Sequence, residues 1–549
     1  MKISTKYILL TLVAIASAVF YTCKNPFDGI EVLADSNIYG NTPTGVVFIN
    51  ANSSNPTPIG DFNVTISGTN ADKVINDIGK KEFKVVGGML SLALQEGVKP
   101  TKAAPIQFHI SAVMEGYVPI SQTITLTHDS LSVHMVKMVQ LSNLPAGTAA
   151  VVANSTTLSG NVTTEEKTFS LPSTTAKPES AAIALQTGTQ FLSQTGAPLT
   201  GGAVTSNIVQ FSATNSAAVQ AIPGGLSAQN LVDQNGNKIN AGSFVTAGLL
   251  AIDMKVGNQS VKNFSKPLQV DMEVSNSIIN PTTGAALKVG DQIPVWSLDE
   301  DKGVWKREST STVINKNGKL VAPFEVPHLS YWSLNFLVEN CAQTTTLTVN
   351  ANAAAANREY ELRVLNQNGQ LISGDASRMF TFKSGANTIT LEKLPNSSVK
   401  IEVIETASKT KVAESASFNP CSGQPAAITL NASTVDLVNV KLDLTGKCPA
   451  KSTTVLPTAT ISLYKMSGTS KEYVSVVRIE NGVGNLQLIN NTKYFIEITF
   501  DGKKYASEFD FKKSDTALPA REGLVGQIKY DASTNSSTLV ATFNVPNCN

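Results

Sequence analysis

The sequence predicts an all-β protein built as a series of β-sandwich domains behind an export signal, on three observations. Apolar residues alternate with polar ones in short runs: Phe62, Val64 and Ile66 against Asn63, Thr65 and Ser67, and Val438, Val440, Leu442 and Leu444 against Asn439, Lys441, Asp443 and Thr445. Period-two alternation is the mark of a half-buried strand. Turn dipeptides such as Asn317-Gly318 and Asp501-Gly502 stand between such runs, where a tight hairpin needs positive φ, and no long amphipathic helical stretch occurs. Finally, only 15% of residues are charged, and Thr, Ser, Asn, Val and Ala fill most of the rest, which suits sheets that meet water through hydroxyls and amides.

At 549 residues the chain exceeds one core, and a prior of roughly 150 residues per domain gives three or four. The 43 basic and 42 acidic residues leave a net charge of +1, so no chain-wide field would recruit nucleic acid or an anionic membrane. Nucleic acid is therefore not an expected partner.

Residues 1–22 read as a signal peptide. Lys2 and Lys6 form a basic start, and Tyr7 to Phe20 is an apolar stretch broken by small residues, short of the about 20 apolar residues a membrane helix needs. The run into Thr22-Cys23-Lys24 resembles the signal of a Gram-negative lipoprotein, which implies cleavage before Cys23 and acylation of that residue. It departs from the family box in having Phe20-Tyr21-Thr22 before the Cys, and an ordinary secretory signal cleaved after Ala16 or Ala18 is the alternative. In lipoproteins Lys24, unlike an Asp there, does not resemble an inner-membrane retention signal, so the outer membrane is the expected location. Residues 23–42 carry Pro, Gly and Asn without a period and are expected to be a tether.

Residues 43–144 are the first sandwich. The order GVVFINANSSNPTPIGDFNVTISG, followed later by FHISAVMEGYVPISQTITL with its A-x-x-x-G-Y from Ala112 to Tyr117, resembles the carboxypeptidase regulatory-like (transthyretin-like) domain. Residues 145–338 are the second. A GT strand near Gly188, the Lys266-Pro267 strand, a hairpin carrying Trp296 and Trp305, and a closing FEVPHLSYWSLNF resemble the β-domain shared by ankyrins, netrin receptors and cartilage intermediate layer protein, a family with mechanical or protein-binding roles. Asp299-Glu300-Asp301 reads as the solvated tip of that hairpin.

Residues 339–434 and 435–549 are two smaller sandwiches (Ig-like or transthyretin-like in class). SFNPCSG around Cys421 and TFNVPNC before Cys548 echo each other as in a degenerate duplication. Apart from Cys23, the cysteines are Cys341, Cys421, Cys448 and Cys548. An even number in an exported chain reads as two disulfides with three possible connectivities. The simplest lies within each unit, Cys341 with Cys421 and Cys448 with Cys548. The absence of any C-x-x-C pair argues against zinc.

The chemistry-bearing residues are few. With four histidines and no G-x-S-x-G, H-E-x-x-H, G-x-x-x-x-G-K or G-x-G-x-x-G motif, the familiar enzyme classes find no signature. No catalysis on an external substrate, metal or cofactor is expected, although loop-borne carboxylates leave an exported hydrolase as an alternative. Asp233, Asn235 and Asn237 copy the start of an EF-hand loop, but Phe244 stands where its bidentate Glu belongs, so a hairpin turn is the reading. His328-Leu329-Ser330 resembles the tripeptide at which autoproteolytic domains of adhesion receptors cleave before the Ser; the competing reading is a packed final strand. Asp129-Ser130-Leu131 and Asp515-Thr516-Ala517 match a bacterial O-glycosylation sequon short enough to arise by chance. The expectation for function is a lipid-anchored, non-enzymatic binding, adhesion or scaffolding protein whose partner is an envelope protein or extracellular polymer. Glycan binding is the alternative within that class.

Overall fold

The structure, a computed structural model, describes residues 33–35, 41–76, 79–130, 132–448, 453–457, 459–468, 470–500, 503–518 and 524–544. The signal peptide, Cys23 and Cys548 lie outside these. The described chain is all-β, in four units of paired sheets.

In the first unit the long strand Asn41–Asn50 runs antiparallel to Met89–Leu94 and parallel to the last strand, Ser132–Met138. A second sheet places Ile106–Ala112 between Thr65–Ser67 and Ile120–Leu126. Phe48, Leu90, Phe108, Ile110 and Ile124 fill the space between. The alternation at Phe62, Val64 and Ile66 belongs to a strand that changes sheets: Phe62–Asn63 pairs with Lys84–Val85, and Thr65–Ser67 joins the facing sheet.

The third and fourth units repeat this plan. Thr345–Ala351 is antiparallel to Gly385–Leu391 and parallel to Ala426–Leu430. Leu437–Cys448 is likewise antiparallel to Val483–Ile489 and parallel to Ser536–Asn544. Both have a facing four-stranded sheet. Three of the four units thus share one strand order, and Val438, Val440, Leu442 and Leu444 point into the fourth core. Cys341 and Cys421 form a disulfide across 80 residues with Cα atoms 5.3 Å apart. It joins the entry ends of the parallel first and last strands. Cys448, at the exit of the fourth unit's first strand, is also disulfide-bonded; the expected partner, Cys548, lies outside the described residues. The Phe-Asn…Cys echo does not mark equivalent positions, because Cys421 precedes the last strand of its unit while Phe543 and Asn544 end theirs. Within the segment expected as a tether, Leu33–Asp35 forms a strand parallel to Thr453–Leu456 of the fourth unit.

The second unit departs from the plan. Its larger sheet has Gly242–Val256 and Tyr331–Glu339 at the centre, and Gly242 to Ile252 are buried without a break. A strand buried on both faces loses its alternation. Val245, Ala247, Leu250 and Ile252 face the unit's own core, with Trp332 and Phe324. Phe244, Leu249 and Ala251 face the other way, onto Trp296, Trp305 and Tyr331 and onto Ala51, Val118 and Val139 of the first unit. The switch of phase occurs at a bulge between Thr246 and Gly248, where one extra residue re-aims the side chains that follow. The hairpin Gln292–Asp299 with Val304–Thr312 carries Trp296 and Trp305 as expected. Asn317 and Gly318, with φ of 55° and 80°, turn Ile314–Lys316 into Lys319–His328, as a type I′ turn requires.

Candidate functional site

The four units converge on one cleft of about 1000 Å³. Its walls are the strand Ser132–Met138 of the first unit, Ile222 to Asn230 of the second, Glu361, Arg363 and Lys409 of the third, and Tyr464 and Tyr473 of the fourth. Ser132–Met138 and Ser470–Ile479 are both edge strands of their sheets, so the cleft lies where sheets end.

Lys137, Arg363, Lys409 and Lys471 line the cleft, together with the carboxylates of Glu361, Glu472 and Glu497. Arg363 is spent on Glu361, with Nε and Nη2 donating to the carboxylate at 2.8 and 3.2 Å. The Lys137 ammonium donates to Gln220 Oε1 at 2.6 Å, and Lys409 lies 5.3 Å from the Tyr473 ring centroid. Burial lowers the pKa of Lys137 to about 8, with the Arg363 guanidinium adding to it, and lowers that of Lys409 to about 8 against the attraction of Glu361. Burial raises the Tyr464 phenol to about 12, helped by Glu497, and raises Tyr473 too. Nothing in the sequence pattern points to this grouping. Lys137, Arg363 and Lys409 sit in three unrelated runs, and an isolated Lys on an edge strand ordinarily serves to block strand pairing.

Of the residues singled out by sequence, Trp305 lines the cleft, whereas Trp296, Trp332, His328, Ser330 and Asp233 do not. All three tryptophans are buried, at 0 to 3% exposure; Trp296 Nε1 donates to Asn335 O at 3.0 Å and Trp332 Nε1 to His328 O at 3.1 Å. They form no exposed platform for sugar rings. His328 turns its Nε2 to Glu308 Oε1 at 3.0 Å, while the Ser330 hydroxyl donates to the carbonyl of Leu298. Burial opposes ionisation of Glu308, yet hydrogen bonds from His328, Ser297 and Lys306 bring its pKa down to about 2. Self-cleavage before Ser330 would require both side chains to leave these partners. Asp233 accepts from the backbone N–H of Asn235 and Asn237, both at 2.8 Å, so its carboxylate stitches its own turn. Among the described residues no three His, Cys, Asp or Glu side chains gather as a metal site.

The acidic tip is a correction. The tip docks on the first unit through the backbone of Glu300 and Asp301, with the Glu300 side chain partly covered, while Asp301 stays exposed as expected. His109 Nε2 lies 2.9 Å from Glu300 O and its Nδ1 3.1 Å from Thr123 Oγ1, and Ser67 Oγ donates to Asp301 O at 2.9 Å. Lys262 pairs with Glu300 at 3.2 Å. Burial lowers the His109 pKa, against the Glu300 carbonyl and the two aspartates. Gly303 is required here, since a Cβ on it would stand 2.2 Å from His109 Nδ1.

No family model matches the chain. Among solved structures it is similar to a streptococcal ancillary pilin, at 12% identity over 48% of this chain and 94% of that one, with a TM-score of 0.15. The TIE protein of Bacillus anthracis matches at 12% identity over 89% and 69%, with a TM-score of 0.14. The major pilin subunit BcpA of Bacillus cereus matches at 9% identity over 92% and 99%, with a TM-score of 0.12. Scores this low carry no argument, and the all-β architecture rests on the strand pairing itself.

Proposed function

We propose that this chain is a lipid-anchored protein of the cell surface that acts by binding, as an adhesion or scaffolding module, with Cys23 as the acylated residue and the outer membrane as its seat. The observation that supports binding is the cleft: four β units each contribute a wall to one recess lined by apolar, polar and charged side chains, and concave sites at domain junctions are where ligands are ordinarily held. The anchor half rests on the sequence from Lys2 to Cys23. Each half has its own test. Mass spectrometry of the mature N-terminus is expected to find an acylated Cys23; a free N-terminus at Ser17 or Val19 would leave a secreted protein. The mature chain, immobilised and exposed to envelope extract, is expected to retain a protein or polymer. Turnover of a substrate with nothing retained would defeat the binding reading.

A further inference from the structure

We propose that the four-unit cleft binds an acidic saccharide, whose carboxylates are drawn to the Lys137 and Lys409 ammonium groups on its lining. The inference rests on the binding reading and names its ligand. Both side chains are half-buried where the units meet, and among the described residues neither has a carboxylate within ion-pairing distance. Arg363 already has Glu361. A desolvated ammonium without a counter-ion is costly, so an incoming anion has two charges to satisfy. Glu472 is exposed and touches the balance only by attracting Lys409 from a distance.

The remaining walls fit hydroxyl groups. Gln229 accepts from Thr125 Oγ1 at 2.6 Å and from Gln107 Nε2 at 2.8 Å, and Ser121, Thr123 and Gln122 line the same side. Amides and hydroxyls that both donate and accept match the two-way hydrogen bonding of sugar hydroxyls. Tyr464 and Tyr473, 6.0 Å apart and edge-on, add aromatic surface to the lining.

Two features of the cations predict how binding responds to pH. Burial holds both lysines near pKa 8, so at pH 8 each is about half charged in the free chain. A bound carboxylate favours the charged form and raises both values. Binding at pH 8 therefore takes up protons, and affinity falls as pH rises from 7 to 9.5. Arg363, Glu361 and Glu472 act on the two lysines through their charges, and Lys471 and Glu497 also line the cleft; the pH response expected here is that of Lys137 and Lys409.

Isothermal titration of the full mature chain tests this with three probes: a galacturonic acid trisaccharide, the galactose trisaccharide that lacks its carboxylates, and a short oligoglutamate. The acidic trisaccharide is expected to bind, with the neutral one weaker by about tenfold or more, the scale of a charge-assisted hydrogen bond. Lys137→Met and Lys409→Met should each cost the acidic sugar a similar factor while Lys→Arg at either site restores much of it. Heats at pH 8 should depend on the ionisation enthalpy of the buffer in the wild type and not in the double Met variant. Equal affinity for the neutral sugar overturns the role of the lysines. Tighter binding of oligoglutamate overturns the saccharide in favour of a peptide laid along the edge strand Ser132–Met138. Failure of all three probes overturns the site; if the chain still retains an envelope partner, the broader binding reading survives that failure.

Discussion

The first and third units have the same strand order and hold it in different ways. In each, the first strand lies parallel to the last, a pairing that closes only after about the whole unit has been made and is correspondingly slow to form. The third unit joins the entry ends of that pair with the Cys341–Cys421 disulfide. The first unit has no cysteine; residues flanking its parallel pair, Ala51 and Val139, are instead buried against the aromatic face of the second unit. What differs is the state that each device acts upon. A disulfide restricts the unfolded chain, whereas a shared apolar face lowers the free energy of the folded one. A sandwich of this kind thus needs some lock for its closing strands, and a neighbour's sheet can serve in place of a covalent one.

The largest expected effect comes from breaking the neighbour's lock. Trp305 is 3% exposed, meets Phe244 edge-on at 5.3 Å, and lies in the cluster that takes in Ala51, Val118 and Val139. Trp305→Ala should cost about 3 to 5 kcal/mol, as truncation of a buried Trp does. Denaturant unfolding measures the loss. If the comparison is right, hydrogen exchange will quicken in Ser132–Met138 as well as in the second unit, with the third unit unchanged. Protection confined to its wild-type pattern in the first unit would mean that the first sandwich needs no neighbour.

Next in size is the covalent lock. Replacing Cys341 and Cys421 together by Ser releases an 80-residue loop, for which the chain-entropy model gives about 4.5 kcal/mol as an upper value. The loss should appear as earlier unfolding of the third unit alone, read as faster exchange in Thr345–Ala351 and Ala426–Leu430. Equal loosening of the first unit would show that the units unfold together and that the two locks are not separate devices.

What the sequence revealed follows from which contacts are local. The alternation at Val438 to Leu444 was legible because one face of that strand meets its own core and the other meets water. Gly242–Val256 was not, because a second sheet and a neighbouring unit cover both faces and a bulge shifts its phase. The acidic tip was misread for a related reason: three adjacent acids look solvated until His109, some 190 residues earlier, is brought against them. The echo between SFNPCSG and TFNVPNC pointed to a true likeness of topology through positions that are not equivalent. The cleft was invisible, since Lys137, Arg363 and Lys409 acquire their meaning only when three units close on one space. Periodicity reports burial within a unit, and nothing in it reports how units meet.

The smallest expected effect tests that last step, at a junction fixed by one side chain. Gln370 of the third unit is 2% exposed and reaches the bulge of the second: its Oε1 accepts from Thr246 N at 3.1 Å, and its Nε2 donates to Thr246 O at 2.8 Å and Ala213 O at 3.0 Å. The bulge turns the Thr246 N–H and C=O away from the sheet, and the amide satisfies them along with Ala213 O; Asn366 Nδ2 holds the same Oε1 at 2.9 Å. Gln370→Leu keeps the bulk and strands the three backbone groups, at a cost of about 1 to 3 kcal/mol. Gln370→Glu can still accept from Thr246 N, but as a carboxylate it faces two carbonyl oxygens. Its pKa in the folded chain should therefore be raised above the usual Glu value, so the protonated form is favoured by folding. The added destabilisation is then smallest at acid pH and grows as pH rises through the ordinary Glu range, while the Leu variant shows no such trend relative to wild type. Comparing the two variants by denaturation at pH 4.5 and pH 7 decides it. Parallel losses at both pH values would mean that the junction is held by apolar contact around Gln370, and that the peg contributes shape rather than hydrogen bonds.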